Sequence, residues 1–131
     1  MNLEKHFLEA GKTVVHKIWG TEYWVENNPQ YCMKVLMLKP NFESSLHFHN
    51  VKKETFLCIE GLVHLEVYPD GVDNHGQSQM HLLRGWAMDS VTIEPGVPHR
   101  FYTFDGPAKI IEASMHHDDA DTVRIEESRE M

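Results

Sequence analysis

An all-β fold preceded by one short helix is predicted for this 131-residue chain, on three observations. Apolar residues alternate with polar ones in short runs rich in β-branched and aromatic side chains, the period of a half-buried strand. Clusters of Gly, Pro and Asn punctuate these runs at short intervals, as in a sandwich or barrel of many strands. The long apolar helices that parallel-sheet crossovers require are missing.

Taken in order, residues 2–10 read as a helix with Leu3, Phe7 and Leu8 on one side. Strands are expected at Glu22–Glu26, Tyr31–Lys39, Ser44–His49, Glu54–Ile59, Leu62–Tyr68, Met80–Leu83, Ser90–Glu94, His99–Phe104 and Ala108–Met115. Turn signals separate them, among them Asn27-Asn28-Pro29, Lys39-Pro40-Asn41, Glu60-Gly61, Pro95-Gly96 and Gly106-Pro107. Asp70–Gln79 is polar and is expected to be a variable loop. In the charged tail from His116 to Met131, Thr122–Glu126 fits a last edge strand or a turn, with the final residues mobile. There is no internal repeat, and the length suits a single domain over 1–131.

Composition narrows the function. Twelve Lys and Arg against 20 Asp and Glu give a formal charge of −8, so there is no electrostatic footprint for nucleic acid. No basic run suggests an anionic membrane surface, and no apolar run approaches the roughly 20 residues of a membrane helix. The N-terminus, MNLEKHFLEAGK, lacks an apolar signal core, so a cytoplasmic protein is expected. Cys32 and Cys58 lie in apolar, strand-like runs and read as free buried thiols. The ten histidines are many for such a chain, and histidine is the commonest metal ligand.

Strand parity singles out three of them. His47 and His49 are two apart, so an extended strand points both to one face. Five residues later comes Glu54, which a hairpin loop at Asn50–Lys53 would fold back beside them. Further on, Glu94–His99 reads EPGVPH, a rigid turn presenting His99 at the start of a strand. Three imidazoles and a carboxylate suit one first-row divalent metal, Mn, Fe, Zn, Ni or Co, and leave coordination positions open for chemistry.

These residues resemble the two motifs of the cupins. His47, His49, Glu54 and Gly61 match the first, and Gly96 and His99 the second, over roughly Val35–Met115. The resemblance implies a small jelly-roll β-barrel whose His47, His49, Glu54 and His99 bind one metal. Asn41 replaces the first motif's leading Gly and is among the few residues that tolerate left-handed backbone. Glu94 and Thr103 replace a Pro and an Asn of the second motif.

Three further segments resemble the mannose-6-phosphate-isomerase-like sugar cupins: Lys17–Tyr23 (KIWGTEY), Lys109–Met115 (KIIEASM) and Asp119–Glu127 (DADTVRIEE). That resemblance implies a metal-dependent sugar or sugar-phosphate isomerase or epimerase. Such a reaction moves a proton between carbons through an enediolate that a divalent metal stabilises. Lys34 and Glu112 are the expected proton-transfer residues, with His116 and His117 also possible by position. Arg100 and Trp86 are the expected substrate contacts, ahead of Lys39, Lys53, Trp19, Tyr23 and Trp24. The alternatives are an Fe(II)-dependent cupin dioxygenase and a non-catalytic sugar-binding or small-molecule-binding cupin. The expected partners are a small-molecule substrate, a sugar or sugar phosphate, and a second copy of the chain, since edge strands invite pairing.

Overall fold

The computed structural model describes residues 2–72 and 77–131. The helix α1 (Leu3–Glu9) starts where the Asn2 side chain accepts the Lys5 N–H at 3.0 Å, the usual N-cap arrangement. It buries none of its residues fully, and its main anchor is Phe7, set edge-on against Tyr23 with ring centres 5.3 Å apart.

The strands then run β1 (Thr13–Lys17), β2 (Gly20–Asn27), β3 (Cys32–Leu38), β4 (Phe42–Glu43), β5 (Leu46–His49), β6 (Glu54–Glu60) and β7 (Leu62–Val67). After these come β8 (Gln79–Arg84), β9 (Ser90–Ile93), β10 (His99–Tyr102), β11 (Ala108–Ser114), β12 (Thr122–Glu126) and β13 (Arg129–Glu130). One antiparallel sheet has the order β1-β2-β3-β11-β6-β9. In the other, β10 is flanked by β7 on one side and by β4 and β5 on the other; β8 extends beyond β7, and β12 and β13 beyond β5 and β4. Every pairing is antiparallel, so the expected all-β jelly roll with a short N-terminal helix is what the chain adopts.

The core lies between the sheets. Alternate residues of β3 (Cys32, Lys34, Leu36, Leu38) and of β7 (Val63, Leu65, Val67) are buried. Leu36, Leu65 and Ile110 meet Phe56 and Phe101 there, each such burial stabilising by about 1.5–3 kcal/mol. Trp19, between β1 and β2, stands edge-on to Phe101 at 4.9 Å. Gly20 lets β2 approach β3: a Cβ there would lie 1.9 Å from the Met37 carbonyl oxygen. Cys32 and Cys58 are free and buried as expected, and burial pushes both thiols up. No helix among the described residues is long and apolar enough to cross a membrane.

Four differences from the sequence reading have physical causes. β1 had no place in the expected strand list; its TVVHK run is short, and pairing with β2 is what makes it a strand. The strand expected at Ser44–His49 begins only at Leu46: the Ser44 hydroxyl accepts the Phe101 N–H at 3.0 Å, and Ser44 and Ser45 separate β5 from β4. Asn50–Lys53 is not a hairpin loop: β5 and β6 belong to opposite sheets, so this segment crosses the sandwich. The final residues are tied down: β12 is the edge strand expected at Thr122–Glu126 and pairs with β5, but beyond it β13 pairs with β4 and the Met131 N–H donates to the Asn41 carbonyl at 2.9 Å. The expected loop at Asp70–Gln79 falls partly on residues 73–76, outside the described residues.

Candidate metal centre

β5 and β10 lie side by side with His47 opposite His99. Their inward parity places His47, His49 and His99 on the cavity face, with ring centres 4.7 to 5.9 Å apart. Glu54 opens β6 on the facing sheet, so the segment after His49 carries the carboxylate across the sandwich to the imidazoles. One donor atom from each of His47, His49, Glu54 and His99 lies within 4.8 Å of the other three. The turns hold as the motifs require: Asn41 has φ 71° and Gly96 has φ 81°.

Each imidazole is aimed by its Nδ1. That of His47 faces the Ser45 carbonyl at 3.0 Å and the Ser45 hydroxyl at 2.9 Å, and that of His99 the Val97 carbonyl at 2.9 Å. A carbonyl only accepts, so these Nδ1 atoms carry the proton and leave Nε2 a lone pair toward the cavity. The His49 Nδ1 meets the Thr122 hydroxyl at 3.2 Å.

The four groups fit a divalent cation. Nε2 of His99 and Oε1 of Glu54 stand 2.6 Å apart, yet each is buried without a hydrogen-bond partner. Two such atoms that close share a proton or face a cation, and an N3O donor set suits a first-row metal. Burial, with the neighbouring His99, pushes the His47 imidazole down to about 3. Burial opposes the charge on Glu54, but His49, His99 and Lys52 outweigh it and hold the carboxyl well below the usual range.

Beside this group a cavity of about 640 Å³ opens, lined by Lys34, Lys52, Glu112, Trp24 and His117 among others. Glu112 and Lys34 face each other across β11 and β3, with Lys34 Nζ 4.0 Å from Glu112 Oε2, 3.8 Å from Glu22 Oε1 and 4.2 Å above the Trp24 ring. Lys52 Nζ lies 3.3 Å from Glu54 Oε2, 3.2 Å from Glu112 Oε2 and 3.0 Å from His117 Nδ1. Burial alone would lower Lys52, but Glu112 and Glu54 win and raise it. Burial, then Lys34 and Lys52, lower His117. His116 stays exposed, its Nδ1 3.0 Å from the Asn28 carbonyl.

The two expected substrate contacts lie elsewhere. With His99 inward, Arg100 alternates to the outer face, where it binds Glu66 at 2.5 Å and Glu126 at 2.8 Å, with Glu43 at 3.6 Å. Trp86 sits in a short 3-10 turn, Gly85–Ala87, and is 74% exposed. Lys53 pairs with exposed Glu94 at 3.3 Å, Lys39 lies over the Phe42 ring, and Tyr23 packs on Phe7. Sequence reasoning missed Lys52 and Thr122. The irregular crossing at 50–53 hides the parity of Lys52, and no local pattern ties Thr122 to His49.

No protein-family model and no curated protein matches this sequence. Solved structures do. CapF, a capsular polysaccharide assembling protein from Staphylococcus aureus, superimposes with a TM-score of 0.76 at 19% identity, over 88% of this chain and 32% of that one. An oxalate decarboxylase from Bacillus subtilis gives 0.73 at 16% identity, over 88% and 31%. An oxalate decarboxylase–formate complex from Lactobacillus farciminis gives 0.72 at 18% identity, over 88% and 34%. This chain thus spans about a third of the length of each. The sheet order, the two-motif turns and these superpositions agree that the chain has the two-sheet jelly-roll fold of the cupins.

Proposed function

We propose that the protein is a metal-dependent cupin that isomerises or epimerises a sugar or sugar phosphate. The observation that carries this reading is the convergence of three imidazoles and Glu54 on one point, with orphaned buried atoms on Glu54 and His99. A bound divalent cation would supply positive charge at the substrate carbonyl oxygen. The rest falls to the side chains around it. Glu112, buried and held by Lys52 and by Ser114 at 3.4 Å, takes a proton from the carbon beside the carbonyl and returns it to the neighbouring carbon. Lys34 stabilises the negative charge that develops on the substrate oxygens, and the Trp24 ring beneath it offers a face for a sugar.

A dioxygenase would need open metal positions but no buried carboxylate–lysine network, so the network favours proton transfer. The test is incubation of metal-loaded protein with fructose 6-phosphate and mannose 6-phosphate in D2O under nitrogen. Interconversion with deuterium entering the carbon next to the carbonyl is expected. Turnover that appears only with O2, or binding without turnover, would overturn the reading.

A further inference from the structure

The Nδ1 atoms of His47 and His99 meet main-chain carbonyls two residues away in sequence, at Ser45 and Val97, and that of His47 also meets the Ser45 hydroxyl at 2.9 Å. His49 differs: its Nδ1 partner is a side-chain hydroxyl, on Thr122, 73 residues further along the chain. We propose that the Asp121–Thr122 pair in the C-terminal segment is a positioning element for the four-residue site, with Thr122 setting the orientation of His49. This rests on the reading that the four residues hold a metal.

The local structure is built for that task. Asp118 caps a 3-10 turn, Asp119–Asp121, by accepting the Ala120 N–H at 3.0 Å. The turn delivers the Asp121 carboxylate to the N–H groups of Val51 and Lys52, one oxygen on each at 2.9 Å. The Asn50 N–H donates to the Asp121 carbonyl at 3.2 Å. The crossing segment between His49 and Glu54, which has no strand partner of its own, is thereby fixed from outside. The next residue, Thr122, pairs with His49 in the β12–β5 ladder. For Nε2 of His49 to offer a lone pair, Nδ1 must carry the proton and donate it to the Thr122 oxygen. His47 and His99 each keep a main-chain carbonyl at Nδ1, so His49 is the ligand whose orientation depends on a side chain from a distant strand, Thr122. The segment's far end is held by β13 on β4 and by an Arg129–Glu43 ion pair.

Thr122→Val removes the acceptor while keeping shape and β-branching; Thr122→Ser restores it. Each is titrated with Co(II), used alone as the probe, after chelator treatment, recording affinity and the visible ligand-field spectrum, with urea melts of the metal-free proteins alongside. The expected result is that Thr122→Val weakens Co(II) binding by about 10–100-fold and shifts the spectrum. Thr122→Ser should return both to the parent values, and the metal-free urea midpoints should coincide. Parent-like affinity and spectrum in Thr122→Val would overturn the proposal. So would a loss that tracks a lower metal-free midpoint and is not rescued by Ser. Failure of the parent itself to bind Co(II) would overturn the metal reading, and this inference with it.

Discussion

Replacing Lys52 with methionine removes the ammonium that stands between two buried carboxylates. The Lys52 side chain is 3% exposed, Glu54 2% and Glu112 7%, and both oxygens lie within 3.3 Å of Nζ. Methionine keeps the length of the side chain but leaves Glu54 and Glu112 without that cation. Breaking a buried pair by removing one partner costs about 3–5 kcal/mol, because an uncompensated charge stays behind. With a urea m-value of about 2 kcal/mol per M, that is a midpoint lower by about 2 M. The assay is equilibrium urea unfolding of chelator-treated parent and variant at several pH values. Glu54 is held well below its ordinary value in the fold. The stability it contributes is therefore present above the ordinary carboxylate pKa and is lost as pH falls through the depressed folded value. Without Lys52 that depression shrinks, so the gap between parent and variant should be widest near neutral pH and narrow below about pH 4. A midpoint unchanged at pH 7, or a gap that widens on acidification, would refute the reasoning.

Other outcomes follow from the same geometry. His47 is pushed down to about 3 in the fold against 6.5 ordinarily, so between those values the unfolded chain binds a proton that the native state refuses. Metal-free protein should lose on the order of a few kcal/mol as pH falls from neutral to about 4, and thermal melts of His47→Asn should show a flatter pH dependence. Gly20→Ala sets a Cβ 1.9 Å from a backbone oxygen, whereas at Gly11 nothing lies within 4 Å. Gly11→Ala should cost about 1–2 kcal/mol from its positive φ alone, and Gly20→Ala distinctly more, read by urea melts. Arg100→Met should lower stability by about 1–3 kcal/mol and Trp86→Ala by less than about 0.5 kcal/mol, and neither should change metal content by elemental analysis. Sedimentation should give twice the 15.2 kDa chain mass if edge strands pair as expected.

The donor set was legible because strand parity is local. Two residues of spacing put His47 and His49 on one face without knowledge of the rest of the fold. The same rule, applied to His99, already sends Arg100 to the opposite face; proximity to a ligand was the weaker guide. Asn41 was readable because few residues accept a left-handed turn. What the sequence did not disclose was long-range. Whether Asn50–Lys53 returns within a sheet or crosses to the other depends on the pairing of β5 with β10 and of β6 with β11, and no local pattern encodes it. The docking of the tail is of the same kind: its β12 burial is slight, so hydrophobic alternation is faint, and its hold comes from ladder hydrogen bonds, Asp121 and ion pairs. Lys52 and Thr122 were hidden for those two reasons.

The central claim is that His47, His49, Glu54 and His99 hold one divalent metal. Elemental analysis of protein purified without chelator, run on the parent, His49→Ala and His99→Ala, tests it most directly. The account predicts close to one equivalent of a first-row divalent metal in the parent and its loss from both variants. Stoichiometric metal retained in both variants would contradict it.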